Sequence, residues 1–112
     1  MMDAIAVLIT TPSQESAEKI GRHLVENRLA ACVNLISPLT SIFRWEGHLC
    51  IESESLMIVK TERRLFDRLA ETVCKLHPYR VPEIIALPIL EGWPDYLNWI
   101  KDSVCPSTSE FV

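Results

Sequence analysis

The spacing of hydrophobic residues changes several times along the chain, and each change predicts a new element. The stretch AIAVLIT, residues 4–10, is a short apolar run rich in β-forming residues, which predicts a strand buried on both faces. Apolar residues then recur at helical spacing, so a helix is predicted next. Either Ser13 or Thr11 can cap this helix, because both hydroxyls stand just ahead of its first turn. Its predicted buried stripe is Ala17, Ile20, Leu24 and Val25.

The middle of the chain predicts two further strands and a hairpin. ACVNLIS, residues 31–37, reads as the second strand, which Pro38 is predicted to interrupt. Residues 40–61 predict a β-hairpin that turns near Glu46 and Gly47. Thr61 is predicted to cap a second helix, because helical spacing of apolar residues follows it. The predicted stripe of that helix is Leu65, Phe66, Leu69, Ala70, Val73 and Leu76.

The last third of the chain predicts a helix end, a strand and a third helix. His77 is predicted to end the second helix, because the residue before a proline is pushed out of the α region and Pro78 follows. EIIALPI, residues 83–89, predicts a strand, and Pro88 favours a position at the edge of a sheet. Gly92 and Pro94 open the third helix.

The order β-α-β-β-α-β-α predicts an α+β fold. Two βαβ halves split by a hairpin are typical of the ferredoxin-like arrangement, here with a long central hairpin and an extra C-terminal helix. The chain has 112 residues, which fits one domain. We assign residues 1–104 to that domain and residues 105–112 to a polar tail.

The second arm of the hairpin is too long for the sheet of so small a domain. Its 13 residues, His48–Lys60, would extend about 43 Å at roughly 3.3 Å per residue. A compact chain of this size has a diameter of roughly 35 Å. The apolar side chains also change face midway, with Leu49 and Ile51 on one side and Leu56 and Ile58 on the other. One core cannot cover both sets, so this arm predicts an oligomer.

Composition and charge exclude several classes of function. Apolar residues make up 48% and the net charge is -4, which disfavours nucleic-acid and anionic-membrane binding because both need a basic surface. The four cysteines are scattered without a C-x-x-C pair, and no secretory signal or membrane span is visible. We therefore expect free thiols and a cytoplasmic protein.

The stretch HPYRVPEII, residues 77–85, concentrates polar chemistry between two prolines. His77 is interpreted either as a helix-ending histidine that bonds a carbonyl or as a metal ligand in a cleft. The spacing of the three histidines does not match a closed zinc site, so any metal must collect ligands from different elements or subunits. No nucleophile–base pair and no cofactor motif is visible, so an enzyme is not expected.

Other polar and aromatic residues admit two interpretations each. Lys60, with Arg63 and Arg64 at a helix start, either holds a small anion or carries ordinary surface charge. Trp45 and Trp99 either fill a core or interface or stack on a ligand. A further set is predicted to be structural or solvated: Cys32 is expected to be buried, Cys50 and Cys105 accessible, and Glu52 and Glu54 to share a solvated strand face.

Several motifs together resemble the CutA family. They are RLAACVN (28–34), W-x-G in RWEGH (44–48), IVKT (58–61), HPYRVPEI (77–84) and YLNW (96–99), in the family's order and over nearly the whole chain, residues 4 to 103. The resemblance implies a ferredoxin-like subunit, a homotrimer, and a cytoplasmic role in tolerance of divalent cations, especially copper. It also implies a trimer similar to that of PII signalling proteins, which bind small ligands between subunits.

Carried over to this chain, the resemblance makes His77 the metal-binding candidate. Ile9 and Leu76 stand where some relatives have cysteine and histidine, and Arg80 stands where an acidic or amide residue is common. These departures weaken a copper site and favour an anion near Arg80. We expect no obligatory cofactor, with a divalent cation such as Cu(II) or a small anion as ligand. The residues expected to line an inter-subunit cleft are Trp45, Lys60, Tyr79, Arg80, Glu83 and Trp99. A structural trimeric scaffold is the remaining alternative.

Overall fold

A computed structural model of the chain describes residues 3–106, and its elements follow the predicted order. The tail assigned to residues 105–112 lies outside the described residues from Ser107 onward. A short 3₁₀ turn, Arg63–Leu65, precedes the second helix. The strands are β1 (Ala4–Thr11), β2 (Cys32–Trp45), β3 (His48–Glu62) and β4 (Ile84–Pro88), and the helices are α1 (Gln14–Glu26), α2 (Phe66–Leu76) and α3 (Pro94–Val104).

The strands form one antiparallel sheet in the order β2-β3-β1-β4. This order confirms the α+β, ferredoxin-like prediction, in which β1 and β3 are central and β2 and β4 are the edges. Pro88 at the end of edge strand β4 agrees with the rule that proline avoids central strands. Within the described residues, no helix is long and apolar enough to cross a bilayer.

The core lies between the sheet and the helices, and α3 contributes Ile100 and Val104 to it. Alternate residues of the two central strands, such as Val7 and Ile9 of β1 and Met57 and Val59 of β3, are fully buried. They pack in one cluster with the buried stripes of the helices, which come chiefly from Ala17, Ile20, Leu24, Leu69 and Val73. The prediction that Val25 belongs to this stripe is wrong, because Val25 is 42% exposed and Gly21 is buried instead.

The structure decides which residues cap the first two helices. Ser13 caps α1, because its Oγ accepts from the backbone N–H of Ser16 at 3.1 Å. The prediction that Thr61 caps the second helix is wrong. Strand β3 continues through Thr61, which pairs with Ile5, and its hydroxyl donates to the carbonyl of Leu29 at 2.7 Å. The hydroxyl is therefore used to hold the loop before β2 against the sheet.

The hairpin extends well beyond the sheet, as its length predicts. Strand β1 pairs with β3 only from Glu62 back to Ser55, so residues 48–54 pair with β2 alone. The molecule is correspondingly elongated, with extents of 51 × 31 × 21 Å. We call the overhanging two-stranded segment, residues 39–54, the hairpin ribbon. Its turn uses Glu46 and Gly47 at φ values of 49° and 81°, which confirms the predicted turn.

Pro38 does not interrupt the second strand, contrary to the prediction. Strand β2 runs from Cys32 to Trp45, with a shift in pairing register between Ile36 and Leu39. Because β2 is an edge strand, the missing N–H of proline at this irregularity removes no necessary ladder bond. Cys32 at the start of β2 is only partly buried, so its predicted full burial is also wrong. It pairs with Lys60 on β3.

Candidate functional site

The HPY segment forms a fixed corner at the end of α2. Pro78 stops the helix, and His77 leaves the helical conformation at φ -79° and ψ 136°. The His77 residue is 7% exposed. Its Nδ1 accepts from the backbone N–H of Tyr79 at 3.0 Å, so Nε2 carries the proton and donates to the carbonyl of Thr10 at 2.7 Å. The histidine thus ties the end of β1 to the corner.

Tyr79 connects the corner to the hairpin. Its hydroxyl donates to Oε2 of Glu54 at 2.8 Å, and its ring lies 4.9 Å from that of His77. Glu54 is 7% exposed, so its predicted place on a solvated face is wrong. Burial, the hydrogen bond to Glu54 and the negative charges of Glu54 and Glu52 raise the pKa of Tyr79 to about 12. The hydroxyl of Tyr79 is therefore protonated at neutral pH and donates its hydrogen bond to Glu54.

An open cleft of about 750 Å³ lies between this corner and the hairpin ribbon. We call it the ribbon cleft. Three of the predicted cleft residues, Trp45, Tyr79 and Arg80, line it together. The guanidinium of Arg80 makes no hydrogen bond or ion pair to any residue in the described range, so it is available to a ligand. The complete lining is Pro12, Phe43, Trp45, Glu46, Cys50, Glu52, Pro78, Tyr79, Arg80 and Val81.

The remaining predicted site residues lie elsewhere. Lys60 is on β3, where its ammonium contacts the amide oxygen of Asn34. Trp99 of α3 lines a separate depression of about 340 Å³ with Arg28 and Ser103. Glu83 is exposed just before β4 and outside the cleft lining. Trp45 and Trp99 are each 46% exposed in the single chain, so neither side chain fills the hydrophobic core.

The basic residues that were predicted to act together at the helix start, Lys60, Arg63 and Arg64, do not line one pocket. Arg63 lines a depression with Asp3 and Asp67, whereas Arg64 bonds to Glu62 and lines a depression on another side. Successive residues of a tight turn point in different directions, so neighbours in sequence do not share a pocket here.

The cleft contains polar residues that were not predicted as site residues. Cys50 and Glu52 line it from β3, and Glu46 lines it from the turn of the hairpin. Cys50 and Glu52 are two residues apart, so strand alternation puts both on one face. That alternation was the only available signal, and it does not show which element lies opposite.

The described residues of one chain do not fit a closed metal site. No group of three or more His, Cys, Asp or Glu residues within range 3–106 is arranged to hold a metal ion. Both ring nitrogens of His77 are engaged, so coordination by His77 requires release of Thr10 or of the Tyr79 N–H. Cys50 and Glu52 provide a thiol and a carboxylate on the cleft wall. Further ligands would have to come from solvent or from a neighbouring subunit.

Comparison with known proteins gives a consistent result. The family described as "CutA1 divalent ion tolerance protein" matches residues 5–103. The divalent-cation tolerance protein CutA of Thermus thermophilus is 54% identical over 97 residues, covering 87% of this chain and 94% of its own length. The chloroplastic protein CutA of Arabidopsis thaliana is 43% identical, and its match covers 89% of this chain but 55% of its own length.

Solved structures agree with the sequence comparison. The divalent cation tolerance protein Cut A1 from Thermus thermophilus superimposes with a TM-score of 0.88 at 52% identity, covering 89% of this chain and 97% of its own. At that identity the two proteins share about half of their aligned residues as well as their fold.

Proposed function

The chain belongs to the CutA1 divalent ion tolerance family, and on that premise we propose that it is a homotrimer that binds divalent cations, copper among them, without catalysing a reaction. The observation that carries the proposal is the ribbon cleft, whose wall presents a thiol at Cys50 and carboxylates at Glu46 and Glu52. Thiolates suit Zn(II) and Cu(I), and carboxylates suit harder divalent ions.

The hairpin ribbon supports the oligomeric part of the proposal. Ile42 and Ile51 face each other across the two strands, and Leu49 shares their side of the ribbon. These three side chains are 68%, 64% and 68% exposed in the single chain. A two-stranded ribbon is marginal on its own and needs apolar cover. A neighbouring copy of the chain supplies that cover and buries the apolar residues; the number three comes from the family resemblance.

The cation part rests on an incomplete donor set. Cys50 and Glu52 reach the cleft from one strand, and a single chain supplies too few ligands for a closed site. A cation bound there would keep water or partner ligands and would exchange readily. His77 joins the donors only if Nε2 leaves the carbonyl of Thr10.

Calorimetric titration of the full chain with Zn(II), which a thiol does not reduce, tests the cation site. We expect Cys50→Ser and Glu52→Gln to weaken binding by roughly tenfold each, as loss of a charged donor does. Cys74→Ser is the matched control, since Cys74 is exposed on α2 outside the cleft. Equal curves for the wild type and both cleft variants would contradict the cleft site. Weaker binding in His77→Ala alone would move the ligand to His77.

Light scattering coupled to gel filtration tests the trimer. The expected mass is about three times the 12.8 kDa of one chain. Ile51→Glu should lower that mass, because it puts a charge in the covered face of the ribbon. Val25→Glu makes the same kind of change on the helical side of the molecule and should leave the mass unchanged. A folded wild-type monomer at low micromolar concentration would refute the trimer.

Arg80 favours a second candidate, a PII-like regulatory module that binds a small anion in the same cleft. Its guanidinium has no partner among residues 3–106 and lies beside Tyr79 and Trp45. Lys60 and Arg63 do not join it, so the anion would depend on Arg80. Thermal-shift screening tests this, because a ligand at 100 times its Kd stabilises the protein by about 2.7 kcal/mol. A shift that survives Arg80→Gln would exclude this site; no shift from nucleotides, phosphates or carboxylates would leave the cation and the scaffold roles.

A cytoplasmic location is part of the same proposal. Cys32, Cys50, Cys74 and Cys105 are all free thiols, which suits a reducing compartment. The Arabidopsis relative is named as chloroplastic, so the location of this chain needs its own test. Fractionation of the source cells, with detection of the protein by antibody, tests the assignment.

A further inference from the structure

Three arginines from separate elements meet at the end of the helical layer away from the ribbon cleft. Arg28 follows α1, Arg64 belongs to the 3₁₀ turn, and Arg68 lies in the first turn of α2. Together they line a depression of about 330 Å³, which also includes Asn27 and Pro106. We call it the arginine pocket. Such a concentration of cations is unexpected in a chain with a net charge of -4.

Two of the three guanidinium groups are held in place by the end of α3. Nη1 of Arg28 donates to the carbonyls of Ser103 at 3.3 Å and Cys105 at 3.2 Å. Nη2 of Arg64 donates to the carbonyl of Val104 at 3.3 Å, and its Nε donates to Glu62 at 3.1 Å. The C-terminal carbonyls of a helix carry partial negative charge and attract cations. The pocket is therefore organised before any ligand arrives.

The third arginine supplies a free charge. Arg68 is exposed, and its guanidinium makes no hydrogen bond or ion pair with the residues that the structure describes. Glu26 lines the pocket and Glu62 pairs with Arg64, whereas Arg68 has no carboxylate partner among residues 3–106. An unpaired guanidinium attracts an anion, and its planar arrangement of N–H donors matches phosphate oxygens better than the point charge of a lysine does.

The arginine pocket is separate from the ribbon cleft. The cleft lies at Pro12, before α1 begins, and at Pro78, after α2 ends. The pocket lies at the opposite ends of both helices. Since α1 has 13 residues, the two sites are about 20 Å apart at 1.5 Å per residue. A ligand in one does not touch the other.

We propose that the arginine pocket binds a phosphate-class anion, with Arg64 and Arg68 as the contacting cations and Arg28 as a fixed wall. The anion is either a free phosphate or diphosphate or the terminal phosphates of an organic ester. An ester has a place for its organic part, because the adjoining depression lined by Trp99 shares Glu26 and Arg28 with this pocket.

Calorimetric titration of the full chain with inorganic pyrophosphate at low ionic strength tests the site. We expect Arg68→Gln to weaken binding by roughly tenfold, which is the effect of removing one charged hydrogen-bond donor. Arg63→Gln is the matched control, since it removes the same charge within the same stretch but lines a different depression. We expect it to change the Kd by less than about twofold, because screening limits the effect of a distant exposed charge.

Three outcomes would overturn the proposal: no heat of binding with the wild type, equal weakening by Arg63→Gln and Arg68→Gln, or unchanged binding in Arg68→Gln. Arg68→Lys keeps the positive charge but lacks the planar guanidinium. It should therefore bind pyrophosphate more tightly than Arg68→Gln and more weakly than the wild type. Circular dichroism of each variant confirms the fold. Titration with a nucleoside diphosphate then separates the sources: equal affinity assigns the site to free phosphates, and tighter binding that Trp99→Ala abolishes assigns it to the ester.

Discussion

Removing the hydroxyl of Tyr79 should destabilise the protein measurably, although Tyr79→Phe keeps the ring. The hydroxyl donates to Glu54 at 2.8 Å, and Glu54 is 7% exposed, with no other hydrogen bond to its side chain from residues 3–106. A hydrogen bond to a charged group contributes about 1.5–3 kcal/mol. Tyr79 is only partly buried, so solvent screening favours the lower end of that range, about 1.5 kcal/mol per chain.

Urea unfolding at one fixed protein concentration measures this loss. We expect Tyr79→Phe to lower the midpoint without changing the m-value, because the surface exposed on unfolding is the same. A double-mutant cycle with Glu54→Gln isolates the pair. A loss of less than about 0.5 kcal/mol, or additive effects in the cycle, would show that the Tyr79–Glu54 hydrogen bond does not stabilise the fold.

The same bond predicts a dependence on alkaline pH. The pKa of Tyr79 is raised from 10.0 to about 12, chiefly by burial and then by Glu54, so folding favours the protonated phenol. Its contribution to stability is complete below pH 10 and is lost as the pH rises through about 12. The free energy of unfolding should therefore fall more steeply from pH 10 to 12 in the wild type than in Tyr79→Phe. Tyr96 titrates in both proteins, so parallel curves would contradict the assignment.

Three further substitutions test the fold. Thr61→Val should lower the free energy of unfolding by about 1–3 kcal/mol in urea, because the carbonyl of Leu29 loses its 2.7 Å donor in a fully buried place; a neutral result would mean that the carbonyl has another partner. Ser13→Ala should cost about 0.5–2 kcal/mol by the same assay through loss of the α1 cap, and Ser13→Asn should recover most of it. Gly47→Ala should cost about 1–2 kcal/mol although nothing lies within 4 Å of the added Cβ, since φ is 81°; a cost near zero would mean that the turn relaxes.

Local sequence patterns predicted most of the elements correctly. The strand at 4–10, the helix end at His77 and the turn at Glu46 and Gly47 all follow from short-range rules about apolar period, proline and positive φ. The extension of the hairpin beyond the rest of the sheet was also predicted correctly, because the length of a strand is proportional to its number of residues. Nearest-neighbour sterics and side-chain periodicity act within a few residues. A short stretch of sequence is therefore enough to determine a strand, a turn or a helix end.

The residues whose prediction failed depend on contacts across the chain. Thr61 looked like a helix cap, but pairing with β1 and a bond to Leu29 keep it in a strand. Glu54 looked solvated, but Tyr79 arrives 25 residues later and covers it. In both cases a distant partner supplies more free energy than the local preference does.

The candidate sites show the same division. The family, the fold class and the helix end at His77 could be predicted, because they depend on motifs and on the order of elements. Packing of the helices separates Arg63 from Arg64 and places Arg64 beside Arg28 and Arg68 at the end of α3. The tertiary structure likewise places Cys50 in the cleft. A pocket is a meeting of side chains from different elements, and their meeting is fixed by packing and strand register, which no local pattern records.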